Sequence, residues 1–242
     1  MPFDNQDSSP QVDVLKKEFH EQASYRNGLL DFIADELPRW RDRPDLKSRT
    51  SETGITSHLC GHLNSAARRT PGWDNLQFRV EEPDTLNKGR KIDLVPSPCD
   101  AIIWIDDCMY ADCNTLMPIE CKRFPIPKDR DEREYVISKD SSTGGIHRFK
   151  EGHHGSEDTF AGMIGYIQQE TTEIWNERVA EWINDLAGKQ SGWTTNDLLN
   201  LKSVDTAQGL MTLSSSHERT KNLQKIEIRH LWIDMNHKPA TA

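Results

Sequence analysis

No apolar run in this chain approaches the roughly 20 residues that a membrane-spanning helix needs. A helical membrane protein is therefore excluded, and no membrane partner is expected. The five cysteines are odd in number and contain no C-x-x-C pair. They supply neither a disulfide framework nor a zinc-finger spacing, and they read as reduced thiols of a cytoplasmic protein. A zinc site built from them with His153 or His154 is the lesser reading. There is no G-x-x-x-x-G-K-[ST], no G-x-G-x-x-G after a strand and no G-x-S-x-G, which leaves NTPase, dinucleotide and serine-hydrolase readings without support. There is no run of basic residues, and the formal net charge is −9, which argues against a surface coated for nucleic acid. The opening Met1-Pro2-Phe3-Asp4-Asn5-Gln6-Asp7 is acidic and polar, unlike a secretory signal.

What is present suffices for one domain: 242 residues, 35% of them hydrophobic, can build a lean core. Residues 1–10 read as a disordered N-terminus. From Val12 to Leu37 apolar residues recur at helical spacing, and Pro38 and Pro44 bracket a loop. Ser51 to Arg69 reads as a second helix, capped by Thr50 or Ser51 and buried along Ile55, Leu59 and Leu63, with Glu52 in its first turn. Leu76 to Val80 alternates like a strand, Asn87 to Arg90 is a turn, and Lys91 to Val95 is the next strand. A further apolar run spans Asp100 to Asp106, and Leu116 to Arg123 is another strand. A short helix and a His-Gly loop follow Gly144-Gly145; in Ala161 to Tyr166 the small residues would let a helix lie close on a sheet. Glu170 to Leu186 reads as an amphipathic helix, and Leu210 to Leu213 with Ile226 to Met235 as closing paired strands. No repeat or long linker interrupts this order of helix, strands, helices and late strands, which implies a layered α/β or α+β domain.

The chemistry concentrates in Leu116-Met117-Pro118-Ile119-Glu120-Cys121-Lys122-Arg123-Phe124. Side chains alternate faces along a strand, so Glu120 and Lys122 point the same way. Lys91-Ile92-Asp93-Leu94-Val95 carries a lone acid on a second apolar strand. Phosphodiester hydrolysis needs a hard cation against the phosphate, an activated water and a neutralised leaving oxygen. Asp93 and Glu120 offer oxygen ligands for Mg²⁺ (or Mn²⁺), the Cys121 carbonyl offers another, and Lys122 can orient or help deprotonate the water. Mg²⁺ binds through one or two carboxylates plus waters and phosphate oxygens, so this set is sufficient. An E-x-K triplet alone carries little information. Here it ends an apolar strand, follows an acid-bearing strand, and both follow a helix bearing Glu52. Asp100, at the head of Ala101-Ile102-Ile103-Trp104, rivals Asp93 as the metal-binding acid.

These residues resemble the PD-(D/E)xK nuclease superfamily over roughly Glu52 to Gln169. The resemblance implies a restriction-endonuclease-like fold, a central mixed β-sheet flanked by helices. It places residues 11–242 in one such domain, with an N-terminal helical extension and a C-terminal helix plus strands. It implies Glu52, Asp93 and Glu120 as metal ligands and Lys122 as the catalytic amine. Ile92 stands where the superfamily motif has proline. A glutamine after the triplet assists the site in some branches, and Gln168 is the candidate. His147, Arg148 and Lys150 are expected near DNA phosphates. The implied activity is Mg²⁺-dependent endonucleolytic cleavage of DNA, by a homodimer or within a larger defence or repair complex, in restriction, repair or antiviral defence. That last step is analogy with the family.

The competing class is a non-cleaving module of the same fold that binds nucleic acid or a protein. The acidic net charge favours it, and the complete acid–acid–lysine set disfavours it. A nuclease subunit that is silent until a partner delivers substrate is a third reading. His58 and His62 stand four apart on a helix with Leu59 where a zincin has glutamate, so they read as surface or packing residues.

Overall fold

The computed structural model describes residues 22–45, 51–84, 91–105, 107–138, 144–220 and 222–237. Among them a seven-stranded mixed sheet runs through the molecule. Its strands are β1 (Leu76–Pro83), β2 (Lys91–Pro98), β5 (Ile119–Phe124), β6 (Phe160–Ile167), β7 (Asn200–Asp205), β8 (Leu210–His217) and β9 (Ile226–Asp234). The spatial order is β1-β2-β5-β6-β9-β8-β7. The three central strands, β5, β6 and β9, are parallel, and both flanks are antiparallel. The flanking helices are α1 (Gln22–Arg41), α2 (Glu52–Ala67), α3 (Gly145–Lys150) and α4 (Thr172–Lys189). The expected run at 100–106 forms only β3 (Ile103–Ile105), paired with β4 (Cys108–Tyr110) as a hairpin outside the main sheet. Among the described residues no helix is long and apolar enough to cross a membrane. Residues 1–10 and the expected turn at 87–90 lie outside the described residues.

Alternation in the central strands feeds two cores, one on each face. Ile119 and Cys121 of β5, Ile164 and Tyr166 of β6, and Leu231 and Ile233 of β9 pack under α1 and α2. Phe124 of β5, Ala161, Met163 and Ile167 of β6, and Ile228 and Trp232 of β9 pack with α3 and α4. This corrects the helical reading of Ala161 to Tyr166. A central parallel strand is buried on both faces, so it reads as a continuous apolar run in which strand alternation is invisible. The small residues serve β6, not a helix: a Cβ on Gly165 would stand 2.6 Å from a ring carbon of Trp232.

Helix α2 follows its sequence signals. Ser51 accepts from the Gly54 N–H at its N-terminus, and Ile55, Leu59 and Leu63 are fully buried. Helix α1 does not stop at Pro38 but runs on to Arg41. Proline removes one helical hydrogen bond, and tertiary contacts offset the loss. Trp40 is fully buried against Tyr166 and His58, and Arg41 donates to the carbonyls of Gln208 and Asp234. The two histidines of α2 are packing residues, as expected: His58 bridges Trp40 and Asp45, and His62 bonds Glu36.

The second core encloses a polar chain. Trp232 Nε1 donates to the Tyr135 hydroxyl at 2.8 Å, and that hydroxyl bonds His230 Nδ1 at 2.7 Å. Ser215 Oγ lies 2.8 Å from His230 Nε2 and 2.6 Å from His217 Nε2. His217 Nδ1 bonds Asp197 Oδ1 at 2.6 Å, and Lys150 Nζ reaches the same oxygen at 2.5 Å. One polarity satisfies every link with both imidazoles neutral. Tyr135 donates to His230, His230 to Ser215, Ser215 to His217, and His217 to Asp197. Asp197, His217 and Ser215 thus stand in the order of a hydrolase triad. Ser215, however, is buried and shared with a second imidazole, so the chain is a structural network.

That polarity sets a pH dependence. Burial lowers the His217 pKa despite the Asp197 hydrogen bond, and burial with the neighbouring His217 pushes His230 well below its ordinary value. The unfolded chain therefore binds protons that the folded chain refuses once the pH drops below the ordinary histidine value of about 6.5. Stability is expected to hold above that pH and to fall progressively below it. Urea midpoints between pH 8 and 5 measure this, and replacing His230 with glutamine is expected to flatten the slope.

Candidate active site

Strands β2 and β5 share a single register pair, Leu94 with Ile119, and separate beyond it. The N–H groups of Cys121 and Arg123 face the resulting gap, and carboxylates take the place of the missing ladder. Asp93 Oδ2 accepts from Cys121 N at 2.8 Å, and Glu52 Oε2 accepts from Arg123 N at 3.2 Å. Buried backbone donors require such partners. The acids of β2 and of the first turn of α2 are therefore anchored by the strand that carries the triplet.

Lys122 stands at the centre of the gap. Its Nζ lies 2.8 Å from Glu120 Oε1, 3.5 Å from Glu52 Oε1, 3.6 Å from Asp93 Oδ2 and 3.1 Å from the Cys121 carbonyl. All four side chains expected from the sequence thus converge. Burial alone would lower the Lys122 pKa, but the charges of Glu120, Asp93 and Glu52 outweigh it and hold the ammonium above its ordinary range. Burial and the charge of Glu120 raise the Asp93 carboxyl, and Lys122 opposes them. Lys122 in this setting is a hydrogen-bond donor and a positive charge.

Glu120 is the buried member, its side chain 1% exposed. Its Oε1 also accepts from Arg148 Nη1 at 2.6 Å, whereas its Oε2 is buried with no hydrogen-bond partner. Beside Glu52 and Asp93 opens a cleft of about 20 Å³, lined also by Thr53, Thr56, Val80 and Glu81. A water needs roughly 10–15 Å³, so the cleft admits a water or a small cation. Among the described residues no three His, Cys, Asp or Glu side chains form a ready metal cage. The acids instead surround an ammonium. A hard cation that keeps most of its waters needs only one or two carboxylates; Glu52 and Asp93 line the cleft, and the buried, unpartnered Glu120 Oε2 is a donor of the same kind.

The remaining candidates fall elsewhere. Asp100 is exposed beyond the far end of β2 and takes no part in the convergence. Gln168 follows β6 rather than lying on a helix, and its N–H donates to the Phe124 carbonyl at the end of β5. His147 is buried beside Trp193, and Lys150 is buried on Asp197 and over the Trp193 ring. Both are buried, and both line a pocket of about 130 Å³ with Gln190, Trp193 and Arg219. Arg148 faces the acids. Gly144 and Gly145 serve close packing: a Cβ on Gly144 would lie 2.2 Å from Ile137 Cα. Gly144→Ala is therefore expected to cost about 1–3 kcal/mol and to shift Arg148 away from Glu120. Chemical denaturation measures the first effect.

Sequence reasoning missed Glu134 and Arg130. They pair with each other beside the site, with Arg130 also 3.9 Å from Glu52. Burial raises the Glu134 carboxyl, opposed by Lys122 and Arg130. The charged segment 128–134 reads as solvated loop, and nothing in its spacing signals that Glu134 turns inward. A groove of about 450 Å³ over β8 and β9 is lined by Asn200, Ser214, Ser216 and Arg229 among others and holds none of these acids. Compared with protein-family models, curated proteins and solved structures, the chain matches none.

Proposed function

We propose that the chain is a divalent-metal-dependent nuclease of the PD-(D/E)xK type that hydrolyses phosphodiester bonds in DNA. The observation that carries this reading is the convergence of Glu52, Asp93 and Glu120 on Lys122 at the gap between β2 and β5, with Glu120 Oε2 left buried and unpartnered. The order of the parts supports it as well. An acid on the helix before the sheet, an acid on the second strand and a triplet on the next strand of the sheet match the resemblance residue by residue.

Asp93 Oδ2, Glu120 Oε2 and the Cys121 carbonyl would hold Mg²⁺ or Mn²⁺, with Glu52 nearby. When bound, the cation supplies Lewis acidity to a phosphate oxygen and acidity to a coordinated water. The protein's own share is positional and electrostatic. Lys122, held among three carboxylates and the Cys121 carbonyl, supplies a positive charge that offsets the negative charge growing during attack. Asp93 and Glu52, anchored on β5 backbone N–H groups, hold the cleft open at fixed width. The restriction, repair or antiviral setting and a homodimeric or complexed state remain part of this proposal by analogy alone.

A second reading has one observation behind it. Lys122 and Arg148 already neutralise the acids internally, as a non-cleaving nucleic-acid or protein-binding module would require. Incubating supercoiled and linear DNA with the full chain and Mg²⁺ or Mn²⁺ separates the two. Cleavage that EDTA stops and Asp93→Ala removes is the expected result. Absence of both cleavage and metal-induced thermal stabilisation would overturn the nuclease reading.

A further inference from the structure

We infer that Arg148 is an internal counter-cation that leaves Glu120 when a divalent cation binds and then clamps a phosphate of the nucleic acid; this rests on the nuclease reading. Glu120 Oε1 carries two cations, Lys122 at 2.8 Å and Arg148 at 2.6 Å. A metal on Oε2 would bring a third cation to the same carboxylate, and like charges a few ångström apart repel strongly in a dry site. One of the two must yield.

The geometry selects Arg148. The Lys122 side chain is 3% exposed and is held by three carboxylates and the Cys121 carbonyl. The Arg148 side chain is 19% exposed, and its guanidinium makes one hydrogen bond, to Glu120. Among the described residues the rest of the fork has no other acceptor. A planar fork with free donors suits a phosphate better than a single carboxylate oxygen does. The buried neighbours Lys150 and Asp197 hold α3 in place, so the side chain can turn without moving the helix. Metal binding and nucleic-acid binding would then be coupled: Arg148 would leave Glu120 where a cation is held, and its freed guanidinium would be available to the substrate.

The test uses the full chain, Mn²⁺ titrated calorimetrically, and fluorescence anisotropy of a labelled DNA duplex with and without Ca²⁺. Arg148→Gln is expected to bind Mn²⁺ about tenfold tighter than wild type, because the competing cation is gone. The same variant is expected to lose the Ca²⁺-induced gain in DNA affinity, which in wild type should be about tenfold. Arg148→Lys keeps a point charge without the fork. It should bind Mn²⁺ like wild type and keep only part of the gain. Mn²⁺ binding by Arg148→Gln that equals or falls below wild type, with wild-type binding intact, overturns the inference and leaves the nuclease reading standing. If Arg148→Gln does not fold, a full Ca²⁺-induced gain in Arg148→Lys overturns it instead. Wild type that neither binds Mn²⁺ nor cleaves DNA removes both.

Discussion

Lys122→Met should abolish metal-dependent cleavage of DNA, with a loss on the order of a thousandfold, and should also destabilise the protein. Both effects come from one place. The ammonium is the shared partner of Glu52, Asp93 and Glu120 at 2.8–3.6 Å, and Glu120 is buried. Methionine fills much of the volume but leaves the acids facing one another with Arg148 as the nearest remaining cation. Removing one partner of a buried ion pair costs about 3–5 kcal/mol. The partial exposure of Glu52 and Asp93 and the survival of Arg148 put the expected loss near the low end of that range. A further consequence distinguishes this site from an ordinary buried ion pair. With its resident cation gone, the cluster should accept Mn²⁺ more readily, so added metal should stabilise Lys122→Met more than it stabilises wild type. Urea unfolding with and without Mn²⁺, beside a plasmid-nicking assay, reads all three effects. Cleavage at the wild-type rate would reduce Lys122 to a structural cation and move the catalytic charge elsewhere.

The second large effect is expected far from these acids. Asp197→Ala should destabilise the fold by about 3–5 kcal/mol with no direct loss of a metal-binding group. Asp197 is buried and anchors three donors: Lys150 Nζ at 2.5 Å, His217 Nδ1 at 2.6 Å and the Thr194 N–H at 2.8 Å. Burial raises its carboxyl, but the hydrogen bonds from His217 and Lys150 outweigh that and bring it down to about 2. Its stabilising contribution is therefore full above the ordinary aspartate value of about 3.9 and is lost as the pH falls from there toward 2. Alanine removes the ion-pair partner of the Lys150 ammonium, which keeps the Trp193 ring at 4.9 Å, and it ends the polar chain through Ser215 and His230. Lys150→Met removes a charge whose acid keeps two other donors, so its cost should be smaller, about 1 kcal/mol. Equal losses in the two variants would mean that the ion pair, not the wider network, carries the stability. Since Lys150 and Arg148 share α3, slower metal-dependent cleavage by Asp197→Ala at temperatures where it stays folded would report a shifted Arg148.

How much of this was legible beforehand follows from range. Helix α2 was readable because Ser51, Glu52 and the stripe of Ile55, Leu59 and Leu63 are local signals, set by helical periodicity and capping. Strands β2 and β5 were readable because short apolar runs bounded by turn residues or prolines favour extended chain. Alternation alone put Glu120 and Lys122 on one side. Strand β6 was misread because burial on both faces erases the alternation that marks a strand. Strand β7 went unseen because its six residues are all exposed and carry no apolar pattern. Helix α1 ran past Pro38 because the burial of Trp40 and Arg41, a tertiary effect, outweighs a local break.

The sequence by itself determined the chemical inventory: which acids and which amine were available, and on which local elements each would ride. The tertiary structure brings Asp93, and not Asp100, to the other acids. Strand β2 meets β5 at Leu94, so the acid next to that contact reaches the Cys121 N–H, and the acid beyond the strand's other end does not. It also buried His147 and Lys150, brought Arg148 onto Glu120 and placed Glu134 near Lys122. None of these pairings follows from spacing along the chain. They arise where separate elements meet, and the free energy that selects them is the avoidance of unpaired buried charge.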